Sequence, residues 1–132
     1  VVSDATAQQS LSPTQPLTTE GVVVAVMSSA QSERRWNAVE ATWGAEFPKV
    51  YRLLAGRGKQ EAAFGRTLRV SCPEYWEREV GDCDEYFSHI YKGHIGLSEL
   101  SKTHSEARWF GLIGDDNFLQ KDSLLAHLAE AE

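Results

Sequence analysis

Three short apolar runs and one mixed stretch set the pattern of this chain. They cover Val22–Met27, Val50–Ala55, Thr67–Ser71 and Trp109–Ile113. The first is a continuous and mostly β-branched run, which is typical of a central strand in a parallel sheet that is covered on both faces. The last is bounded by glycine and is typical of a fully buried strand. The pattern therefore predicts four strands.

Helical spacing follows the first predicted strand. Trp36, Val39 and Trp43 recur on one face of a helix, which Ser32 would cap and Gly44 would end. Tryptophans at this spacing are typical of core packing, so we expect them to lie in the core.

Two further helices are predicted in the second half of the chain. The longer one runs from about Asp84 to His104, although Gly93 and Gly96 lower the helix propensity of its middle. Its core face would carry Phe87, Ile90, Tyr91, His94 and Leu97. Asp122 would cap the last helix, which carries Leu124, Leu125 and Leu128. The order β-α-β-β-α-β-α predicts an α/β fold, with a mostly parallel sheet and helices on both faces.

Composition and charge indicate how many domains the chain contains and argue against some classes of partner. With 132 residues, 42% hydrophobic and 24% charged, the chain fits a single globular domain. Residues 1–20 are polar, contain two prolines and lack apolar periodicity, which predicts a linker or stem before a domain over residues 21–132. A formal charge of −6 argues against nucleic acid or an anionic membrane surface as the partner.

Two adjacent carboxylates, Asp115 and Asp116, follow the last predicted strand. Ligands of parallel α/β sheets bind outside the carboxyl ends of the strands, which is where these side chains would lie. Neighbouring side chains of an extended segment point in opposite directions, so one carboxylate could hold a hard cation while the other contacts a different group. The alternative is a strand-to-helix turn, in which aspartate and asparagine serve turn chemistry alone.

Several short motifs stand in a distinctive order along the chain. The first strand ends in Ser28-Ser29, and Arg35 is followed seven residues later by Thr42-Trp43. An aromatic pair, Trp109-Phe110, precedes the segment Ile113–Leu119. This order resembles the fringe-type and related β-1,3-glycosyltransferases, which share the interval from Arg to Thr-Trp and carry the similar segment Val-Asp-Asp-Asp-Asn-Tyr-Val after an aromatic pair.

The resemblance covers roughly residues 21–129 and implies a GT-A fold, which is a Rossmann-like nucleotide-sugar-binding half followed by an acceptor-binding half. The aspartate motif falls near the middle of such a domain. The chain would therefore be the donor-binding half, and the catalytic base of the family would lie beyond Glu132. No catalytic residue is assigned within the chain.

The resemblance also implies roles for five residues around a UDP-sugar donor. Asp116 would be the ligand of a Mn²⁺ or Mg²⁺ ion, and Asp115 would contact the ribose or the sugar. Arg35 would pair with the diphosphate, because its planar fork suits phosphate oxygens. Ser28 and Ser29 would line the nucleotide pocket. A divalent cation suits this chemistry because it neutralises the diphosphate leaving group.

Two departures from the family pattern bear on activity. Gly114 stands where the family has the first of three aspartates, and Met27 stands where it has a lysine. The loss of a carboxylate at 114 allows a divergent donor preference or a non-catalytic relative. Arg35 also has an alternative interpretation, as a solvated charge beside Glu33 and Arg34.

Cys72 and Cys83 lie eleven residues apart, like a cysteine pair of the fringe branch. The resemblance implies a disulfide between them, which would suit the lumen of the Golgi or secretory pathway, with any membrane anchor outside this chain. The alternative is two free thiols in a cytosolic protein. Trp76, which lies between them, is a candidate for ligand contact. No histidine pair has the spacing of a helical zinc site.

Three functions remain open at this stage. The first is inverting, metal-dependent transfer of a sugar from UDP in β-1,3 linkage to a glycan or glycoprotein acceptor. The second is a non-catalytic module of the same fold, which binds a nucleotide sugar or a protein partner. The third is an unrelated doubly wound domain such as a phosphoacceptor receiver, which is disfavoured because Ser28-Ser29, and no acidic residue, ends the first strand.

Overall fold

The structure is a computed structural model that describes residues 15–56, 66–71 and 89–132. The strands are β1 (Val22–Met27), β2 (Val50–Gly56), β3 (Thr67–Ser71) and β4 (Trp109–Gly114). The α-helices are α1 (Glu33–Ala41), α2 (His89–Thr103) and α3 (Lys121–Ala131). Short 3-10 helices cover Thr19–Gly21, Ala30–Ser32 and Trp43–Glu46. The predicted bounds of β1 and β3 are confirmed.

The four strands form one parallel sheet in the order β3-β2-β1-β4. The chain moves outward from β1 to β3 and then returns to place β4 on the other side of β1. The strand order therefore reverses between β1 and β4. The predicted α/β class is confirmed as a Rossmann-like parallel sheet with helices around it, and the finer GT-A assignment stays a prediction.

The core has one layer on each face of the sheet, and β1 contributes to both. Val22, Val24 and Val26 pack with Trp36 and other residues of the α1 side, and α3 covers the same cluster. The alternate residues of β1 pack with Leu53 and with Leu100 of α2 on the opposite face. All six residues of β1 are buried, because a central strand meets helices on both faces, which explains its continuous apolar run.

The predicted core face of α2 is confirmed only in part. Tyr91 and Leu97 pack partly buried against the core, but Ile90 and His94 do not. Ile90 is 89% exposed and His94 is also exposed, whereas Lys92, Gly93 and Gly96 are buried against the sheet. The glycines allow this arrangement, since a Cβ at Gly96 would lie 2.7 Å from Leu53 Cδ1. Close approach of the helix at the glycines thus accompanies the apolar packing of Leu100. Phe87, which belongs to the same predicted face, lies outside the described residues.

Both predicted helix caps are corrected by the structure. Ser32 occupies the N-cap position of α1 without a side-chain cap bond, and its hydroxyl lies 2.9 Å from Ser29 Oγ. Gln120, and not Asp122, caps α3, because its side chain accepts a hydrogen bond from the backbone N–H of Ser123 at 2.6 Å.

The end of the first helix also differs from the prediction. The helix α1 ends at Ala41, so Trp43 and Gly44 belong to the following 3-10 helix. Trp36 and Trp43 are both buried, as the sequence predicts, and Trp109 packs partly buried against the same core.

The prediction that β4 is fully buried is wrong. All its residues are partly exposed, and Leu112 is 46% exposed. Leu17, within the predicted linker, packs on the core. Cys72, Cys83 and Trp76 lie outside the described residues. None of the described helices is long and apolar enough to cross a membrane.

Candidate functional site

An open pocket of about 640 Å³ lies at the carboxyl ends of β1 and β4. This is the crevice where the strand order reverses, the place at which open α/β sheets bind ligands. Its lining is Met27, Ser28, Ser29, Ser32, Arg35, Ile90, Leu112, Ile113, Gly114, Asp115 and Asp116. All five residues that the resemblance assigns to the donor and the metal are among them. The fold thus brings together residues from the two ends of the domain.

Asp115 is tied to the end of β1 through both its backbone and its side chain. Its N–H donates to Met27 O at 3.1 Å. Its carboxylate accepts a hydrogen bond from Ser28 Oγ at 3.1 Å, and Arg35 Nη1 lies 3.7 Å from the other oxygen. The side chain of Asp115 is only 8% exposed, so these contacts hold it in a nearly dry position.

Asp116 has a different environment from its neighbour. It is exposed, and its Oδ1 accepts a hydrogen bond from Asn117 Nδ2 at 3.2 Å. A turn holds this segment, because the N–H of Asn117 donates to Gly114 O at 3.3 Å. The buried Trp43 supports the turn from below by donating its indole N–H to Asn117 O at 3.1 Å. Asp116 is therefore the carboxylate that an incoming ligand can reach.

Gly114 shapes the same turn. A Cβ at this position would lie 2.8 Å from Asp116 Oδ1 and 3.1 Å from Asn117 Nδ2. Any side chain at 114 would thus displace the ends of these two side chains. The turn is therefore built around a residue that has no side chain.

Two buried cations that the sequence analysis missed lie beneath the pocket. Arg52 of β2 donates from Nε to Ser28 Oγ at 3.2 Å and from Nη2 to Ser29 O at 2.7 Å. Lys92 of α2 donates to Ser28 O. The available signal for Arg52 was a charged residue inside an otherwise apolar strand, because such a charge must find polar partners.

The pocket offers few side-chain oxygens that could bind a metal ion. Among the described residues, no group of three His, Cys, Asp or Glu side chains could hold a metal ion. Asp115 already faces Ser28 and Arg35, which leaves Asp116 as the open carboxylate. Mg²⁺ and Mn²⁺ are usually bound by one or two carboxylates together with substrate phosphates. Asp116 could therefore hold such a cation together with the phosphate of a ligand.

The comparisons with known proteins add no family to this description. No protein-family model, curated protein or solved structure matches the chain. A function for the pocket therefore has to be proposed from its residues and their arrangement.

Proposed function

We propose that this chain is the donor-binding half of a fringe-like β-1,3-glycosyltransferase, which binds a UDP-sugar together with Mn²⁺ or Mg²⁺. One observation carries the proposal. The residues singled out for the donor and the metal line a single pocket at the switch point of the sheet, although Ser28 and Asp115 are 87 residues apart in sequence.

The charges of the pocket support the binding of a diphosphate. Arg35 is 63% exposed and makes only a loose ion pair with Asp115. Because its guanidinium is largely exposed and the contact is long, Arg35 can turn towards a phosphate in the pocket. A guanidinium can then donate two hydrogen bonds to phosphate oxygens.

The two aspartates would divide the remaining tasks. Asp116, with its exposed carboxylate, would hold the cation, which supplies charge neutralisation for the diphosphate leaving group. Asp115 is held still by Ser28 and would accept hydrogen bonds from the ribose or sugar hydroxyls. A glycan or glycoprotein acceptor would approach from the acceptor half of the full domain.

The test is calorimetric titration of the chain with UDP, with and without Mn²⁺. We expect binding that depends on the cation and is lost in Asp116→Ala, by more than the roughly 10–100-fold that loss of an outer-shell partner costs a metal site. Asp122→Ala is the matched control, because it removes an equally exposed aspartate of α3 away from the pocket. Binding that is independent of Mn²⁺, or that is unaffected by Asp116→Ala, would refute the proposal.

A second candidate is a non-catalytic module that binds the same nucleotide sugar without turnover. Gly114 favours it, because the turn is packed around a residue with no side chain where the family has an aspartate. Both candidates predict the same UDP titration. Sugar transfer by a longer gene product with a downstream Asp and His would eliminate the second candidate.

A further inference from the structure

We propose that Arg52 is a positioning residue, which acts through Ser28 to fix the carboxylate of Asp115; its consequence for ligand binding rests on the function proposed above. Arg52 lies in β2, two strands away from β4, and it does not line the pocket. Its guanidinium contacts Ser28 Oγ, which in turn contacts Asp115 Oδ2. A chain of two hydrogen bonds thus joins β2 to the end of β4.

The direction of this hydrogen-bond chain is set by chemistry. An arginine can only donate, so Ser28 Oγ must accept from Arg52 Nε and has its own proton left to give. That proton has two acceptors within reach, Asp115 Oδ2 at 3.1 Å and Ser29 O at 3.5 Å. Ser29 O also accepts from Arg52 Nη2 at 2.7 Å. The carboxylate is both the nearer and the charged acceptor, and hydrogen bonds to a charged acceptor are the stronger ones. The hydroxyl of Ser28 is therefore directed to the carboxylate.

Burial gives the arrangement its rigidity. Ser28 is 3% exposed and Arg52 is 8% exposed. Hydrogen bonds at such positions are electrostatically stronger than in water, and breaking one leaves a buried polar group without a partner. The planar fork of arginine reaches two acceptors at once, whereas the point charge of a lysine does not reproduce that geometry. Arg52→Lys should therefore keep the charge and lose the positioning.

The first readout is the carboxyl ¹³C resonance of Asp115 in the full chain, assigned with Asp115→Asn. We expect Arg52→Lys, Arg52→Met and Ser28→Ala all to move this resonance. Arg66→Met is the matched control, since Arg66, like Arg52, donates two hydrogen bonds, but to the backbone carbonyls of Gly44 and Phe47, which do not line the pocket. An Asp115 resonance that stays in place in Arg52→Lys would overturn the proposal, even if the variant melts at a lower temperature.

The second readout is the affinity for UDP in the presence of Mn²⁺. We expect Arg52→Lys to weaken it about tenfold, the scale of one hydrogen bond to a charged group, and Arg66→Met to leave it unchanged. In the double variant with Ser28→Ala the two losses should not add, because both remove the same link to Asp115. Fully additive losses would mean that Arg52 acts elsewhere.

The two readouts separate the two proposals. If the parent chain does not bind UDP with Mn²⁺, the proposed function fails. The Asp115 resonance then still decides whether Arg52 positions that carboxylate.

Discussion

The two strands that carry the pocket, β1 and β4, are paired in register yet have opposite environments. Every residue of β1 is buried, and Ser28, which follows it, accepts hydrogen bonds from Arg52 and Lys92. Every residue of β4 is partly exposed, and Asp116 and Asn117 beyond it are exposed. The pocket thus has a fixed wall, formed by the end of β1, and an open wall, formed by the end of β4. A ligand can reach the exposed residues of the open wall directly.

The packing of α2 shows the same difference between the two walls. Gly96 rests on Leu53 of β2, which is fully buried, whereas Gly93 rests on Leu112 of β4, which is half-exposed. Leu53 is more buried than Leu112 because of where the two strands lie in the sheet. β2 has strands on both sides, while among the described residues β4 is paired on one side alone.

The largest expected effect separates these two glycines. Gly96→Ala should be less stable than Gly93→Ala by about 1–3 kcal/mol, the usual cost of overpacking a core. A Cβ would lie 2.7 Å from Leu53 Cδ1 in the first variant and 2.8 Å from Leu112 Cδ2 in the second, but only Leu112 can move out into solvent. Both variants gain the same helix propensity of about 1 kcal/mol, so it cancels in the difference. Urea denaturation measures both, and equal stabilities would show that β4 is as rigid as β2.

The next effect concerns ligand binding at the pocket. Arg35→Ala should weaken UDP binding in the presence of Mn²⁺ by about tenfold, through the loss of hydrogen bonds to the diphosphate. It should lower the urea midpoint only slightly, because the contact of Arg35 with Asp115 is long, at 3.7 Å, and Ser28 still donates a hydrogen bond to this buried carboxylate. Arg34→Ala is the control, since it removes the same charge from a neighbouring exposed residue. Equal losses in the two variants would mean that general electrostatics, and not this pocket, attracts UDP.

The smallest effect lies away from the pocket, where Glu106 follows α2. A hydrogen bond from its own backbone and one from Lys49 hold the pKa of Glu106 below its ordinary value of 4.5. A lowered folded-state pKa stabilises the fold above pH 4.5, and this contribution is lost as the pH falls through the folded value. Glu106→Gln should slightly reduce the acid dependence of stability and leave UDP affinity alone. A change in UDP affinity would show that the pocket is coupled to the region of Glu106, which precedes the amino end of β4.

Much of the fold follows from local patterns in the sequence. The β-branched run of β1 and the mixed stretch of β3 predict their strands with the observed bounds, since strand propensity and burial agree there. The face of α2 could be predicted only in part. Tyr91 and Leu97 pack on the core as the helical spacing predicts, but Ile90 and His94 of the same predicted face are exposed, whereas two glycines and Lys92 are buried.

The candidate site divides along the same line. Motif order singles out Ser28, Arg35, Asp115 and Asp116 in the sequence, and the strand order brings them to one pocket. Their roles stay a prediction. Arg52 was missed because its role depends on a contact across the sheet to Ser28, which no local pattern encodes. Long-range polar contacts of this kind become visible only when the strand order is known.

The most direct test of the central claim is to locate bound Mn²⁺ by its paramagnetic broadening of backbone amide signals. With UDP present, substoichiometric Mn²⁺ should broaden the signals of Ser28, Asp115 and Asp116 first, and it should leave these signals sharp when UDP is absent. Broadening that is the same without UDP would contradict a cation held jointly by Asp116 and a diphosphate. So would broadening that centres on Glu130 and Glu132, the acidic residues at the C-terminal end of α3.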